Sequence, residues 1–177
     1  MAKEIFPDIP SVRYEGPDTK NPFAFRYYQG DKKVGGKTMA EHFRFSMAFW
    51  HSMNGGGADP FGTATAVRPW DAMTDPMELA RTKMRGVFEL TTKIGIPFFC
   101  FHDRDIAPAG DTLREANDNL DEIVREIKSL MGEYPTRLLW GTARLFFHPR
   151  YLNGAATSPD PSVYAYAAGQ VKKAMEV

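Results

Sequence analysis

His102 offers the clearest chemical prospect in the chain. It follows four apolar residues, Phe98-Phe99-Cys100-Phe101, and heads the run His102-Asp103-Arg104-Asp105. A histidine closing an apolar run sits at the wall of an apolar pocket. Asp105, three residues on, can turn back and accept a hydrogen bond from one ring nitrogen. Such a bond fixes the tautomer and leaves the other nitrogen free, an arrangement suited to general acid/base work near neutral pH. The competing reading is a surface turn in which Asp103 or Asp105 caps a helix or pairs with Arg104. The other histidines are weaker: His42 falls in a short helix, His51 has no acidic neighbour in sequence, and His148 precedes Pro149 in a loop. No pair has metal-site spacing such as H-x-x-x-H. The strand ends also lack the clustered carboxylates of a hard-cation site. The residues alone therefore predict no metal ligands.

Aromatic residues come next. Trp140 lies in the apolar run Arg137–Thr142, where a tryptophan serves equally well as core or as a pocket wall. Phe61, between Pro60 and Gly62, sits on a loop tip where burial within the same chain is hard, the position of an interface anchor. Gly55-Gly56-Gly57 is no phosphate loop, since it lacks G-x-x-x-x-G-K-[ST] and no helix starts directly behind it.

These residues need elements to position them. Residues 1–36 hold many Pro and Gly with no sustained period, and predict an irregular arm that packs on something else. Residues 37–177 form the second unit. Thr38-x-x-Glu41 is a capping box, and apolar residues alternate at 43, 45, 47 and 49, predicting a strand over 43–50. Asp75, Pro76 and Glu78 mark a helix start, with Gly95 as its stop. Pro97–Phe101 is a wholly apolar strand of the kind buried in a parallel sheet. Thr112 and Glu115 open a second long helix, Arg137–Thr142 is a third strand, and Asp160-Pro161 opens a helix that runs to the chain's end. Strand–helix alternation implies parallel strands with right-handed crossovers, and chemistry just past the strands' C-terminal ends. The fold class is α/β, a (β/α) TIM-barrel type truncated to about three βα units. Eight units close such a barrel. Three leave two open strand edges and an apolar face, so a lone monomer is not expected to be stable.

Composition excludes several classes. Lys and Arg number 22 and Asp and Glu also 22, so no net charge recruits nucleic acid or an anionic membrane. No apolar run approaches the roughly 20 residues of a membrane helix. The N-terminal residues lack a signal peptide's apolar stretch, and the single cysteine, Cys100, rules out an internal disulfide. The expectation is a soluble, cytoplasmic protein.

Six blocks carry a family resemblance: Glu15-Gly16-Pro17-Asp18 through Tyr27-Tyr28, Gly57–Gly62, Arg68-Pro69-Trp70, Cys100–Asp105, Leu139–Ala143, and His148–Tyr151 with Gly154–Thr157. In this order they resemble the N-terminal part of the long-form bacterial xylose isomerases. The resemblance implies a TIM barrel, a tetramer, and two divalent cations (Mg²⁺, Mn²⁺ or Co²⁺). The implied reaction interconverts D-xylose and D-xylulose, and more slowly D-glucose and D-fructose. It places His102 and Asp105 on a catalytic ring-opening pair, and Trp50, Trp140 and Thr142 on the sugar-binding wall. Phe61 falls on an aromatic that reaches a neighbouring subunit's site. Arg144 departs from the family's usual Asn or Lys. The family's metal ligands and its substrate-polarising lysine lie in its second half, beyond the matched region. This leaves the alternative of a non-catalytic half-barrel that associates or binds sugar weakly.

Overall fold

The computed structural model describes residues 4–177. Four two-residue strands come first. β1 (Arg13–Tyr14) pairs with β2 (Ala24–Phe25) in parallel, and β3 (Lys33–Val34) pairs with β4 (Lys37–Thr38) as a hairpin. α1 (Met39–His42) follows, with both halves of the Thr38/Glu41 capping box formed. The main sheet then assembles from β5 (Ser46–Ala48), β6 (Phe98–His102) and β7 (Arg137–Thr142), all parallel, with β6 in the centre. Three long helices alternate with them: α2 (Pro76–Ile94), α4 (Leu113–Glu133) and α5 (Pro161–Glu176). A four-residue helix, α3 (Asp103–Ile106), follows β6 directly. The architecture is mixed α/β with a parallel sheet.

The first strand is shorter than the alternation predicts. Phe43 and Phe45 are exposed, while Met47 and Phe49 are buried, and only Ser46–Ala48 pairs with β6. From Trp50 to Asn54 the chain winds into a π-helical turn, so Trp50 and His51 lie beyond the strand. Both long N-terminal caps form, but neither is a complete capping box. Asp75 accepts from the Met77 and Glu78 N–H groups, while the Glu78 carboxylate pairs with Arg81 and Arg85. Thr112 accepts from Glu115 N–H, while the Glu115 carboxylate accepts from Asp111 N–H. The interhelical arginines drew one glutamate away, and the preceding turn drew the other. Gly95 closes α2 in the left-handed region, φ 71°, where a side chain would be strained.

The core lies between the sheet and the pair α2/α4. Phe99 of β6 packs edge-on against Phe88 of α2, ring centroids 5.2 Å apart, and Leu120, Ile123 and Ile127 of α4 complete the layer. Thr91 and Thr136, both buried, satisfy each other through hydroxyls 2.8 Å apart. β7 is one of the sheet's two edge strands, and its Leu138, Leu139 and Trp140 all remain over a third exposed.

The N-terminal segment is tied to α2 by charge. Glu89 accepts from the N–H groups of Ile5 (2.7 Å) and Phe6 (2.9 Å), and lies 3.1 Å from Lys93. Burial raises the Glu89 carboxyl's pKa, but those hydrogen bonds and Lys93 outweigh it and leave it below the ordinary 4.5. A depressed carboxylate stabilises the fold above its unfolded pKa, and that contribution is lost as pH falls through the folded value. Stability carried by Glu89 should therefore be complete at pH 7 and decline below about pH 4.5. Urea midpoints across that range check it: Glu89→Gln should lower the midpoint at pH 7 and flatten its fall in acid.

Candidate active site

The site gathers at the C-terminal end of β6, where the strand gives way to α3. His102 closes the strand, and Asp105 occupies the third position of the short helix. Asp105 Oδ2 accepts from the His102 backbone N–H at 3.0 Å and lies 2.7 Å from His102 Nδ1. An ionised carboxylate only accepts hydrogen bonds, so the ring proton of this pair sits on Nδ1. Nε2 then has no hydrogen-bond partner among the described residues. The Asp105 side chain is 1% exposed and that of His102 15%. Asp105's carbonyl is also held, by Asn54 Nδ2 at 2.9 Å, and Asn54 itself accepts from Lys83 Nζ.

Three aromatic rings surround the imidazole. Trp50 lies 4.7 Å from it, Phe146 5.3 Å and Trp140 5.9 Å, centroid to centroid. Trp50 and Trp140 are 5.7 Å apart. The placement of Trp140 depends on a register break. Phe99 pairs with Leu138 but Cys100 pairs with Trp140, leaving Leu139 over as a bulge. One residue's slip exchanges the faces of a strand, so the bulge sets Trp140 and Thr142 opposite Cys100 and His102. Gly141 then falls against Phe101, where an added Cβ would come within 3.0 Å of the ring.

The sequence therefore located five of its six candidates close together or next to each other: His102, Asp105, Trp50, Trp140, and Thr142 as His102's partner in the register. Phe61 is apart, 97% exposed on the turn closed by the Asp59–Gly62 bridge, and shares none of these contacts. The competing reading's pairing with Arg104 is present for Asp103, but on a buried turn and not at the surface. Asp103 Oδ1 accepts from Arg104 N–H, and its Oδ2 lies 3.6 Å from Arg104 Nε. Sequence reasoning missed Asn54, Phe146 and Gln170. Asn54 ends the π-helical turn, Phe146 lies in a loop, and Gln170 is one polar position on a helix, so only tertiary structure joins them to the site.

Asp103, 2% exposed, is the structural counterpart of Asp105. Beyond Arg104 it accepts from Arg144 N–H (2.8 Å) and from Gln170 Nε2 (2.8 Å), and Gln170 Oε1 accepts from Tyr151 OH (2.8 Å). Burial raises the Tyr151 hydroxyl above its ordinary value, so it remains a donor. Among the described residues no three His, Cys, Asp or Glu side chains group as metal ligands. The side chains present do not fit the dications that the resemblance implies. No helix among the described residues is long and apolar enough to cross a membrane.

Removing Asp103 leaves buried donors unpaired, so Asp103→Ala should cost about 3–5 kcal/mol of stability. Urea unfolding followed by circular dichroism measures this; a loss under about 1 kcal/mol would mean the network is dispensable.

No family model matches the chain. Curated relatives do. The xylose isomerase of Thermoanaerobacter sp. (strain X514) is 53% identical over 174 residues, 98% of this chain and 40% of the relative. That of Caldicellulosiruptor bescii is 54% identical over 174 residues, with the same coverage. The xylose isomerase of Arabidopsis thaliana is 53% identical over 174 residues, 36% of its length. The chain thus spans about 40% of the length of the curated relatives it matches. Along nearly all of its own length, it is a homologue of the xylose isomerases.

Proposed function

We propose that the chain serves xylose isomerase chemistry, D-xylose to D-xylulose, by opening the sugar ring at His102. The 2.7 Å contact between His102 Nδ1 and Asp105 Oδ2 carries this reading. Asp105 holds the tautomer that leaves Nε2 as a proton acceptor, and its charge balances the imidazolium formed in passing. Nε2 takes the proton of the anomeric hydroxyl, the C1–O5 bond breaks as the C1 carbonyl forms, and the proton is returned to O5. The histidine ends neutral and the sugar is an open-chain aldose. Trp50 and Trp140 supply apolar faces for the sugar's C–H groups, and Thr142 lies on the same face as a hydrogen-bonding neighbour. D-glucose, one carbon longer, would crowd Trp140. In this reading the fold is a (β/α) barrel segment of three units, residues 37–177, behind the arm 1–36. The homologues' names support isomerase chemistry. The later aldose–ketose step, which the resemblance assigns to two divalent cations (Mg²⁺, Mn²⁺ or Co²⁺), finds no ligand cluster among the described residues. The buried, unpaired Cys100 suits a reducing cytoplasm.

Mutarotation of freshly dissolved α-D-xylopyranose, followed by polarimetry, tests ring opening alone. The chain should accelerate it by about 10²-fold or more over buffer, the range of positioned acid/base catalysis, and His102→Ala should return it to the buffer rate. An unchanged rate in that variant, or no acceleration by the unmutated chain, overturns the proposal.

A second reading, a non-catalytic segment that associates with copies of itself, is favoured by the open face of β7, where Leu138, Leu139 and Trp140 are all over a third exposed. Light scattering should then give a mass that grows with concentration. A monomer at every concentration, with cooperative unfolding, would remove this reading.

A further inference from the structure

Arg144 stands two residues past Thr142, in the loop that follows β7. Its backbone is fixed at both ends: the N–H donates to Asp103 Oδ1 at 2.8 Å, and the carbonyl accepts from Gln170 Nε2 at 3.3 Å. Its guanidinium rests on the face of Phe147, 3.9 Å from the ring centroid, a cation–π contact. Nη1 lies 3.3 Å from Asp105 Oδ1. We infer that Arg144 is a positioning residue for the His102–Asp105 pair: it holds the second oxygen of Asp105 so that the first stays on His102. The inference rests on the ring-opening role proposed above and names what keeps that pair in place.

Asp105 has two carboxylate oxygens, and His102 occupies only one of them. Both of His102's contacts, backbone N–H and Nδ1, go to Oδ2. Among the described residues, Arg144 is the only partner of Oδ1. The Asp105 side chain is 1% exposed, so water cannot easily replace that partner. Without the guanidinium, a buried charge would have one oxygen unmatched, and the carboxylate would gain by turning about Cβ–Cγ toward solvent. That rotation is the motion that would lengthen the contact to Nδ1. The hold is preorganised, because a carboxylate, a carboxamide and an aromatic ring fix Arg144 before it meets Asp105. Through Asp103 and Gln170 the position of Arg144 is set by α5, an element that touches neither His102 nor Asp105 in any contact described above. A flexible surface arginine paired with an aspartate would carry little; one fixed at three points beside a buried carboxylate acts as part of the site.

The test is NMR of the ¹⁵N-labelled 177-residue chain. In the unmutated protein the His102 ring nitrogens should show a single tautomer with the proton on Nδ1. Arg144→Ala should move them toward the values of a tautomer-averaged imidazole, with the amide spectrum of α2 and α4 unchanged. Arg144→Lys, which keeps the charge, should bring them back most of the way. In the mutarotation assay, Arg144→Ala should slow ring opening by about ten- to a hundredfold, the cost of a small misplacement, and Arg144→Lys should recover most of it. His102 ring shifts identical in Arg144→Ala and the unmutated chain overturn the inference. Should Arg144→Ala fail to fold, the unmutated protein decides through its arginine side-chain signals. A clamped guanidinium gives separate Nη1 and Nη2 resonances on cooling, whereas a single averaged resonance for Arg144 overturns the inference. If the unmutated chain fails to open the sugar ring, the proposed function falls, and the tautomer comparison still decides whether Arg144 holds Asp105.

Discussion

Two carboxylates, Asp103 and Asp105, are buried within three residues of each other where β6 ends, and each needs a full set of donors. Burying a charge is costly unless it is paired and hydrogen-bonded, so the neighbouring chain segments are arranged around these two groups. Asp103 takes its donors from α3, from the loop after β7 and from α5; Asp105 takes its donors from His102 and is ion-paired with Arg144. The two roles divide cleanly. Asp103 joins elements together, and Asp105 orients one imidazole. Because Arg144 serves both, through its backbone for one and its side chain for the other, the structural and the chemical carboxylate are not independent.

The sheet explains why this happens at β6 and nowhere else. Among the described residues β6 is the only strand of the main sheet with neighbours on both sides, and its middle residues Phe99, Cys100 and Phe101 are buried. The rigidity of its end is inherited by His102, which still pairs with Thr142 in the ladder. β5 lacks this advantage. Its pairing stops at Ala48, and the π-helical turn that follows carries Trp50 toward His102 and Asn54 toward the carbonyl of Asp105. A turn of that kind is uncommon and often occurs at functional sites. Here it brings an aromatic wall and a backbone anchor to the same corner from a single short segment.

Local signals were readable wherever a single element decides its own fate. The α2 start at Asp75-Pro76, its stop at Gly95, the α4 start at Thr112 and the whole of β7 follow from caps and apolar runs that act over four or five residues. The pairing of His102 with Asp105 was legible for the same reason: its spacing is three residues and its context a strand end. What was not legible depends on longer reach. Alternation at 43, 45, 47 and 49 looks continuous, yet a strand exists only as far as its neighbour's ladder, so residues 43–45 stay irregular and residues 49–50 lead into the turn. The bulge at Leu139 leaves no trace in composition, because it is a mismatch between two strands and not a property of either. The role of Arg144 depends on Gln170, 26 residues away, and no periodicity links them.

The bulge and the network together determine what kind of surface meets a ligand. Had β7 kept its register, Trp140 would have faced the helices, and the face carrying His102 would have presented the smaller Leu139. The slipped register instead puts Trp50, Trp140 and Phe146 around an imidazole whose proton is fixed from behind. On the buried side the corner is held by Asp105, Asn54 and Arg144, while His102 Nε2 has no hydrogen-bond partner among the described residues. Flat rings also lower the local dielectric, which strengthens any charge the imidazole acquires against the carboxylate behind it. From the far side of the sheet's edge, α5 reaches this corner through Gln170, whose Nε2 donates to Asp103 and to the Arg144 carbonyl.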